Sequence, residues 1–137
     1  MPSQCSLCTI NQEDYRIVER APKVYSIIPN APFTPGHVMI LPYRHTVFEG
    51  INGEELSQLR DMSCRLKGKL VALYPRTPPI FTSMLDTIHA SVPDHLHFHL
   101  IPSPVKIITL LASYHKISPE RRVLPRLELE KLAQQLR

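Results

Sequence analysis

The stretch that decides the fold is His95-Leu96-His97-Phe98-His99-Leu100-Ile101-Pro102. Histidine holds every second position and a bulky apolar residue fills each gap. An extended strand sends residues i, i+2 and i+4 to one face and the residues between them to the other. Read this way, His95, His97 and His99 share one face, Leu96, Phe98 and Leu100 turn to the core, and Pro102 ends the pairing. The chain has seven histidines, and three of them fall in these five residues. A solvated strand face would be served as well by Ser, Thr or Lys, so the clustering calls for chemistry. Two kinds compete: a metal site of three strand imidazoles, and phosphate transfer in which one imidazole attacks phosphorus while its neighbours orient it.

Outward from this stretch, fourteen prolines against four glycines cut the chain into short elements. Tyr15–Glu19 and Val24–Ile28 read as the first two strands. Asn30-Ala31-Pro32-Phe33-Thr34-Pro35-Gly36 is turn chemistry throughout and leads into a third strand, His37–Leu41, closed by Pro42. Two apolar strands joined in this way predict an antiparallel pair. The period then changes. Asn52 fits an N-cap with Glu54 and Glu55 in the first turn. Leu56, Leu59, Met62, Leu66, Leu70 and Leu73 recur at helical spacing over about six turns, ending before Pro75. Ile80–Leu85 reads as a fourth strand and His95–Ile101 as a fifth. Residues 105–111 fit strand or helix. Pro125 suits the first turn of a last helix with Leu129, Leu132 and Leu136 on one stripe. The expected class is α+β: an antiparallel sheet covered by one long amphipathic helix, with a second helix at the C-terminus.

The 137 residues are enough for one domain. The expected organisation is a single domain over residues 1–137, with an N-terminal loop of residues 1–11 and a C-terminal extension of residues 103–137. At 43% hydrophobic and 20% charged residues the balance is that of a globular protein, which argues against disorder. No apolar run approaches the ~20 residues of a membrane span. The N-terminus has neither the basic nor the apolar region of a secretory signal, so a cytoplasmic location is the expectation. The net charge of +4 suits anionic partners. The basic residues are scattered, and no nucleic-acid-binding signature is present, so a small anion is expected over nucleic acid.

Three cysteines are present. Cys5 and Cys8 form a C-x-x-C pair, and Cys64 falls within the helical pattern as an inert thiol. No βαβ pattern accompanies the pair, as a thioredoxin-like motif would require. Zinc ligation suits it better, although two cysteines supply only half of a tetrahedral site.

The His-x-His-x-His run, together with Pro35-Gly36-His37-Val38-Met39-Ile40-Leu41-Pro42-Tyr43-Arg44-His45, resembles the histidine triad (HIT) superfamily of nucleotide hydrolases and transferases over roughly residues 5–102. Asp94 ahead of the triad looks like the branch of dinucleoside polyphosphate hydrolases and phosphorylases. The resemblance implies that His97 is the nucleophile, that His99 contacts the phosphate and bridging oxygen, and that His37 supports the triad from behind. In zinc-bearing members two N-terminal cysteines join two histidines, which here implies a structural Zn2+ on Cys5, Cys8, His45 and His95. That set already claims one triad histidine, which weakens the catalytic-metal reading. The implied substrate is a purine nucleotide with a good leaving group, such as a diadenosine polyphosphate or an adenosine phosphoramidate, cleaved through a covalent nucleotidyl-histidine. Ile27 and Phe33 are candidates for the base and ribose pocket, Ser91 for a phosphate contact. Members are commonly homodimers.

The departures from the family pattern bear on activity. Members carry an asparagine and several glycines about ten residues ahead of the triad. This chain has Ser83-Met84-Leu85-Asp86-Thr87-Ile88-His89-Ala90 there, and Pro102-Ser103 where Pro-Arg is frequent. An altered phosphate grip leaves a second reading open, a nucleotide-binding or regulatory module that keeps the fold with little turnover.

Overall fold

The computed structural model describes residues 5–83, 95–103, 109 and 123–137. The expected end of strand four, Ser91 and His89 lie outside the described residues, as does all of residues 105–111 but Thr109. The chain divides into two compact units, Met1–Pro104 and Val105–Arg137. The first holds an antiparallel five-stranded sheet: β1 (Ile17–Arg20), β2 (Val24–Ile27), β3 (Val38–Pro42), β4 (Pro79–Thr82) and β5 (Phe98–Pro102), in the order β1-β2-β3-β5-β4. One long helix, α1 (Gly53–Leu73), accompanies it. This is the α+β architecture that the alternation predicts. The second unit contains a helix, α2 (Arg126–Leu136), that starts immediately after Pro125. Among the described residues no helix is long and apolar enough to cross a membrane.

The two strands at the sheet's centre-left, β2 and β3, are buried at every position. The strand period explains how. Val24, Val38 and Ile40 point to α1 and meet Leu59, Met62, Leu66 and Leu70 together with Leu100 of β5. Tyr25, Ile27, Met39 and Leu41 point the other way and meet Leu7 of the N-terminal segment. Both faces are thus covered, one by a helix and one by a loop.

Two residues of the expected helical stripe stand outside the core: Leu56 is 47% exposed and Leu73 is 70% exposed. At the N-terminal end the buried position belongs instead to Glu55, whose carboxylate accepts from the Asn52 N–H at 3.1 Å while the Asn52 side chain accepts from the Glu55 N–H at 2.8 Å. This reciprocal capping box closes two of the helix's orphan donors. At the C-terminal end Tyr74 takes the packing place that Leu73 leaves.

Strand five also starts later than its alternation suggests. His95, Leu96 and His97 precede β5, and strand three includes Pro42. The reason lies in Pro42, which has no N–H to give a neighbour and whose carbonyl accepts from His95 Nε2 at 3.0 Å. A side chain consumes the acceptor that a longer ladder would use. The first strand likewise begins at Ile17, because Asp14–Arg16 form a 3-10 turn.

Candidate active site and metal centre

Cross-strand register places one line of residues across all five strands: Ile17, Ile27, Met39, His99 and Thr82. They lie on the sheet face opposite α1. His99 therefore sits between Met39 and Thr82, partly buried, on the face that also carries the Leu7 cluster of Tyr25, Ile27, Met39 and Leu41.

His37 reaches the same place from the turn before β3. The His37 N–H donates to the Thr34 carbonyl at 3.1 Å, closing a turn with Pro35 and Gly36 at its centre. Gly36 has φ +88°, which is the requirement of the third residue of a type II turn. Thr34 Oγ1 ties this turn to the Pro102 carbonyl at 2.5 Å, next to the end of β5.

The protons in this corner are fixed by one backbone group. The Phe33 N–H donates to His37 Nδ1 at 3.0 Å. A backbone amide can only donate, so Nδ1 is the bare nitrogen and the neutral ring carries its proton on Nε2. That Nε2–H faces His99 Nδ1 at 2.8 Å. By the same logic His99 keeps its own proton on Nε2. Burial pulls the His37 pKa down to about 4. Burial first, then the neighbouring His97 and His37, pull His99 down to about 3. Both rings are neutral near pH 7, and His99 presents a fixed donor and no charge.

His97 is 6% exposed, and its Nδ1–H donates to the His95 carbonyl at 2.9 Å. In the neutral ring this leaves Nε2 without a proton, which is the form of imidazole that can attack an electrophile. The His97 and His99 rings lie 5.1 Å apart, centroid to centroid, at 80°. The His97 Nε2 and a fixed N–H donor thus share one corner of the sheet.

Cys5, Cys8, His45 and His95 converge beside this corner, with their four ligand atoms within 4.8 Å of one another, so they could hold a metal ion. His95 Nε2 donates to the Pro42 carbonyl, which turns Nδ1 toward Cys5 Sγ and Cys8 Sγ, each at 3.5 Å. His45 Nδ1 is 3.3 Å from Cys8 Sγ. Burial lowers the His95 pKa and favours the neutral ring that a metal needs. Burial, then the hydrogen bond and charge of Cys5, raise the Cys8 thiol, as expected of two sulfurs crowded together with no cation between them. The two ligand-bearing loops are stitched by Leu96 N–H to the Thr46 carbonyl at 2.7 Å.

The structure thus brings His37, His97 and His99 together, and Cys5, Cys8, His45 and His95 in a second cluster. Phe33 is 74% exposed and its ring stacks on His37 at 5.5 Å and 21°. Ile27 stands two strands from His99 on the same line but is fully enclosed by the core. Ser91 lies outside the described residues. Sequence reasoning did not anticipate the Phe33 amide, the Pro42 and His95 carbonyls or the Ser83 hydroxyl, which donates to the His97 carbonyl at 2.6 Å. Backbone groups carry no residue signature, and a serine at a strand end is ordinary.

A five-stranded antiparallel sheet with three histidines gathered on one face defines a histidine-triad architecture. The HIT domain profile matches residues 11–104, more than half of the chain, and the chain belongs to the HIT family. It is 29% identical over 97 residues to the AP-4-A phosphorylase of Mycobacterium tuberculosis, a match covering 68% of this chain and 49% of that protein. The chain therefore spans about half the length of that relative. It is 28% identical over 125 residues to the adenosine 5'-monophosphoramidase hnt1 of Schizosaccharomyces pombe, covering 85% of this chain and 88% of that one. Among solved structures, the histidine triad nucleotide-binding protein of Candida albicans superposes with a TM-score of 0.73 at 23% identity, covering 97% of this chain and 94% of its own.

Proposed function

We propose that this protein is a nucleotide hydrolase or transferase that cleaves a phosphoanhydride or phosphoramidate bond of a purine nucleotide through His97. The observation that carries the reading is the His97 ring, with its Nδ1–H engaged by the His95 carbonyl and Nε2 bare beside the His99 donor. The relatives named as an AP-4-A phosphorylase and an adenosine monophosphoramidase act on substrates of this chemistry.

In the proposed reaction His97 Nε2 attacks the α-phosphorus. A P–N bond to the imidazole forms as the P–O or P–N bond to the leaving group breaks, and the leaving group departs with that electron pair and takes up a proton. Water or another acceptor then attacks phosphorus, loses its proton, and expels His97 Nε2. His99, neutral and with its proton on Nε2, donates a hydrogen bond to oxygens that gain charge on the way. His37 holds His99 in that tautomer. Phe33, exposed and stacked on His37, offers an aromatic face for the base or ribose.

The same reading assigns a structural zinc to Cys5, Cys8, His45 and His95. Bond lengths of about 2.3 Å to sulfur and 2.0–2.1 Å to nitrogen set tetrahedral S···N separations near ~3.6 Å. Three of the ligand pairs, at 3.3 to 3.5 Å, come near that separation, and all four ligand atoms lie within 4.8 Å of one another. A zinc held by all four residues would be closed to substrate and would contribute to folding. The resemblance also implies a homodimer.

The missing asparagine and glycines before the triad favour one other reading, a nucleotide-binding module with little turnover. A single experiment separates the two. The purified protein should release adenosine monophosphate from an adenosine phosphoramidate, and His97→Ala should abolish this with its melting temperature retained. Binding without release would favour the module. Release at the parent rate by His97→Ala would remove His97 from the chemistry.

A further inference from the structure

The three residues that carry the nucleophile and its orienting carbonyl lie just outside the strand, and each makes a hydrogen bond to a group outside the segment. His95 is tied through its ring to the Pro42 carbonyl at 3.0 Å. Leu96 is tied through its N–H to the Thr46 carbonyl at 2.7 Å. His97 is tied through its own carbonyl to Ser83 Oγ at 2.6 Å. The first two anchors come from the β3 side of the sheet. Among the described residues, Ser83, the residue after β4, holds the segment from the other side.

Among the described residues, the pairing of β4 with β5 runs from Pro79 opposite Pro102 to Thr82 opposite His99. The His97 carbonyl lies beyond the last pair among the described residues. A carbonyl can only accept, so the Ser83 hydroxyl is the donor, and it holds the segment beyond that pair. Ser83 is partly buried, which limits replacement of this bond by water.

We propose that Ser83 is a positioning residue for the nucleophile. It fixes the peptide of His97, and the fixed peptide keeps Nδ1–H on the His95 carbonyl and Nε2 aimed at the substrate. This assignment rests on the reading of His97 as nucleophile, and it gives Ser83 a role apart from substrate contact. Misplacing a reacting atom by about 1 Å can cost ~10²-fold in rate. Loss of one anchor among three should cost less.

The test compares Ser83→Ala with Ser83→Thr, which keeps the hydroxyl and suits extended backbone. Steady-state hydrolysis of an adenosine phosphoramidate is read together with the ¹⁵N NMR signals of the His97 ring in the ligand-free protein. Ser83→Ala should lower kcat about tenfold with KM within about twofold, and should shift His97 from the single Nδ1–H tautomer toward a mixture. Ser83→Thr should restore both. If Ser83→Ala does not fold, Ser83→Cys, close in size but a weak donor, takes its place with the same expectations. Parent-like kcat, an unmoved His97 signal, or failure of Ser83→Thr to restore either would overturn the proposal. If the parent itself has no His97-dependent turnover, the functional reading fails, and the NMR comparison still decides whether Ser83 sets the ring.

Discussion

His37 Nε2 stands 2.8 Å from His99 Nδ1, and the direction of that hydrogen bond is set by the Phe33 amide on the far side of His37. Two imidazoles in contact are compatible only while they hold no second charge between them. Burial meets that condition by lowering both pKa values, to about 4 and about 3.

The first prediction follows from the sign of these shifts. A histidine whose folded pKa lies below its unfolded value of 6.5 binds fewer protons when folded. Its contribution to stability is complete above 6.5 and is lost as pH falls toward 4. At ~1.4 kcal/mol per unit, His37 alone accounts for up to roughly 3 kcal/mol across that window. Urea denaturation at a series of pH values should show His37→Gln less stable than the parent at pH 7 and losing less on acidification. The four-ligand cluster is common to both proteins, so the difference between the two curves isolates the His37–His99 pair. Parallel curves would show that the pair does not carry the linkage.

A second prediction concerns Cys5. As prepared without chelators, the protein should contain one zinc per chain. Cys5→Ser should lose metal and melting temperature together, since binding energy at a closed centre is also folding energy. The loosened ion would free the His95 loop, next to which His97 takes its orienting carbonyl. Elemental analysis that finds no zinc in the parent would reject the centre. Full zinc content in Cys5→Ser with an unchanged melt would move it elsewhere.

The sequence made much of this arrangement legible, and the limits are physical. Alternation around Phe98 and Leu100 identified the strand and its core side, and both meet the α1 cluster. Pro35-Gly36 announced the turn that delivers His37. The C-x-x-C found its two histidine partners only through family resemblance, because ligands 37 and 87 residues away leave no local pattern. What stayed hidden was the backbone: the Phe33 N–H and the Pro42, Thr46 and His95 carbonyls decide every tautomer and loop position here, and any residue type could supply them. Leu56 and Leu73 were placed in the core by spacing alone, which cannot tell a helix's middle from its ends.

Glu55 illustrates such an end, and gives a third prediction. It is 2% exposed, accepts from Arg44 Nη2 at 2.6 Å and Nε at 3.2 Å, and completes the cap of α1. The Arg44 guanidinium, and after it the Asn52 amide, hold its carboxyl below the usual range against the opposing pull of burial. Its stabilising effect is therefore present at neutral pH and fades as acid protonates it. Because Arg44 is half exposed, solvent screens the charge part. Glu55→Gln should cost about 1–2 kcal/mol at pH 7, with the deficit shrinking as the pH falls below the ordinary carboxyl value of 4.5. Arg44 adjoins His45 of the candidate metal cluster, so Glu55→Gln should also ease extraction of a metal held there by a chelator. Unchanged stability at pH 7 would show that the cap alone, without charge, suffices.

The last prediction sets two glycines against each other. At Gly36 the backbone has φ +88°, and an added Cβ would lie 2.6 Å from the Tyr74 ring and 3.1 Å from both Leu70 Cδ2 and Pro102 Cγ. The left-handed conformation costs an L-residue roughly 1–2 kcal/mol, and crowding a packed core costs about 1–3 kcal/mol more. Gly68 lies in the exposed interior of α1, and nothing stands within 4 Å of the Cβ it would gain. There the same substitution removes a helix-breaking residue and should stabilise by about 0.8–1 kcal/mol. Gly36→Ala should therefore lower the melting temperature while Gly68→Ala raises it. Because Gly36 precedes His37, its alanine variant should also perturb the His37–His99 hydrogen bond, visible as a shift of both ring signals by NMR. A Gly36→Ala protein with parent stability and unmoved His37 and His99 signals would mean that the turn does not hold the imidazole pair in place.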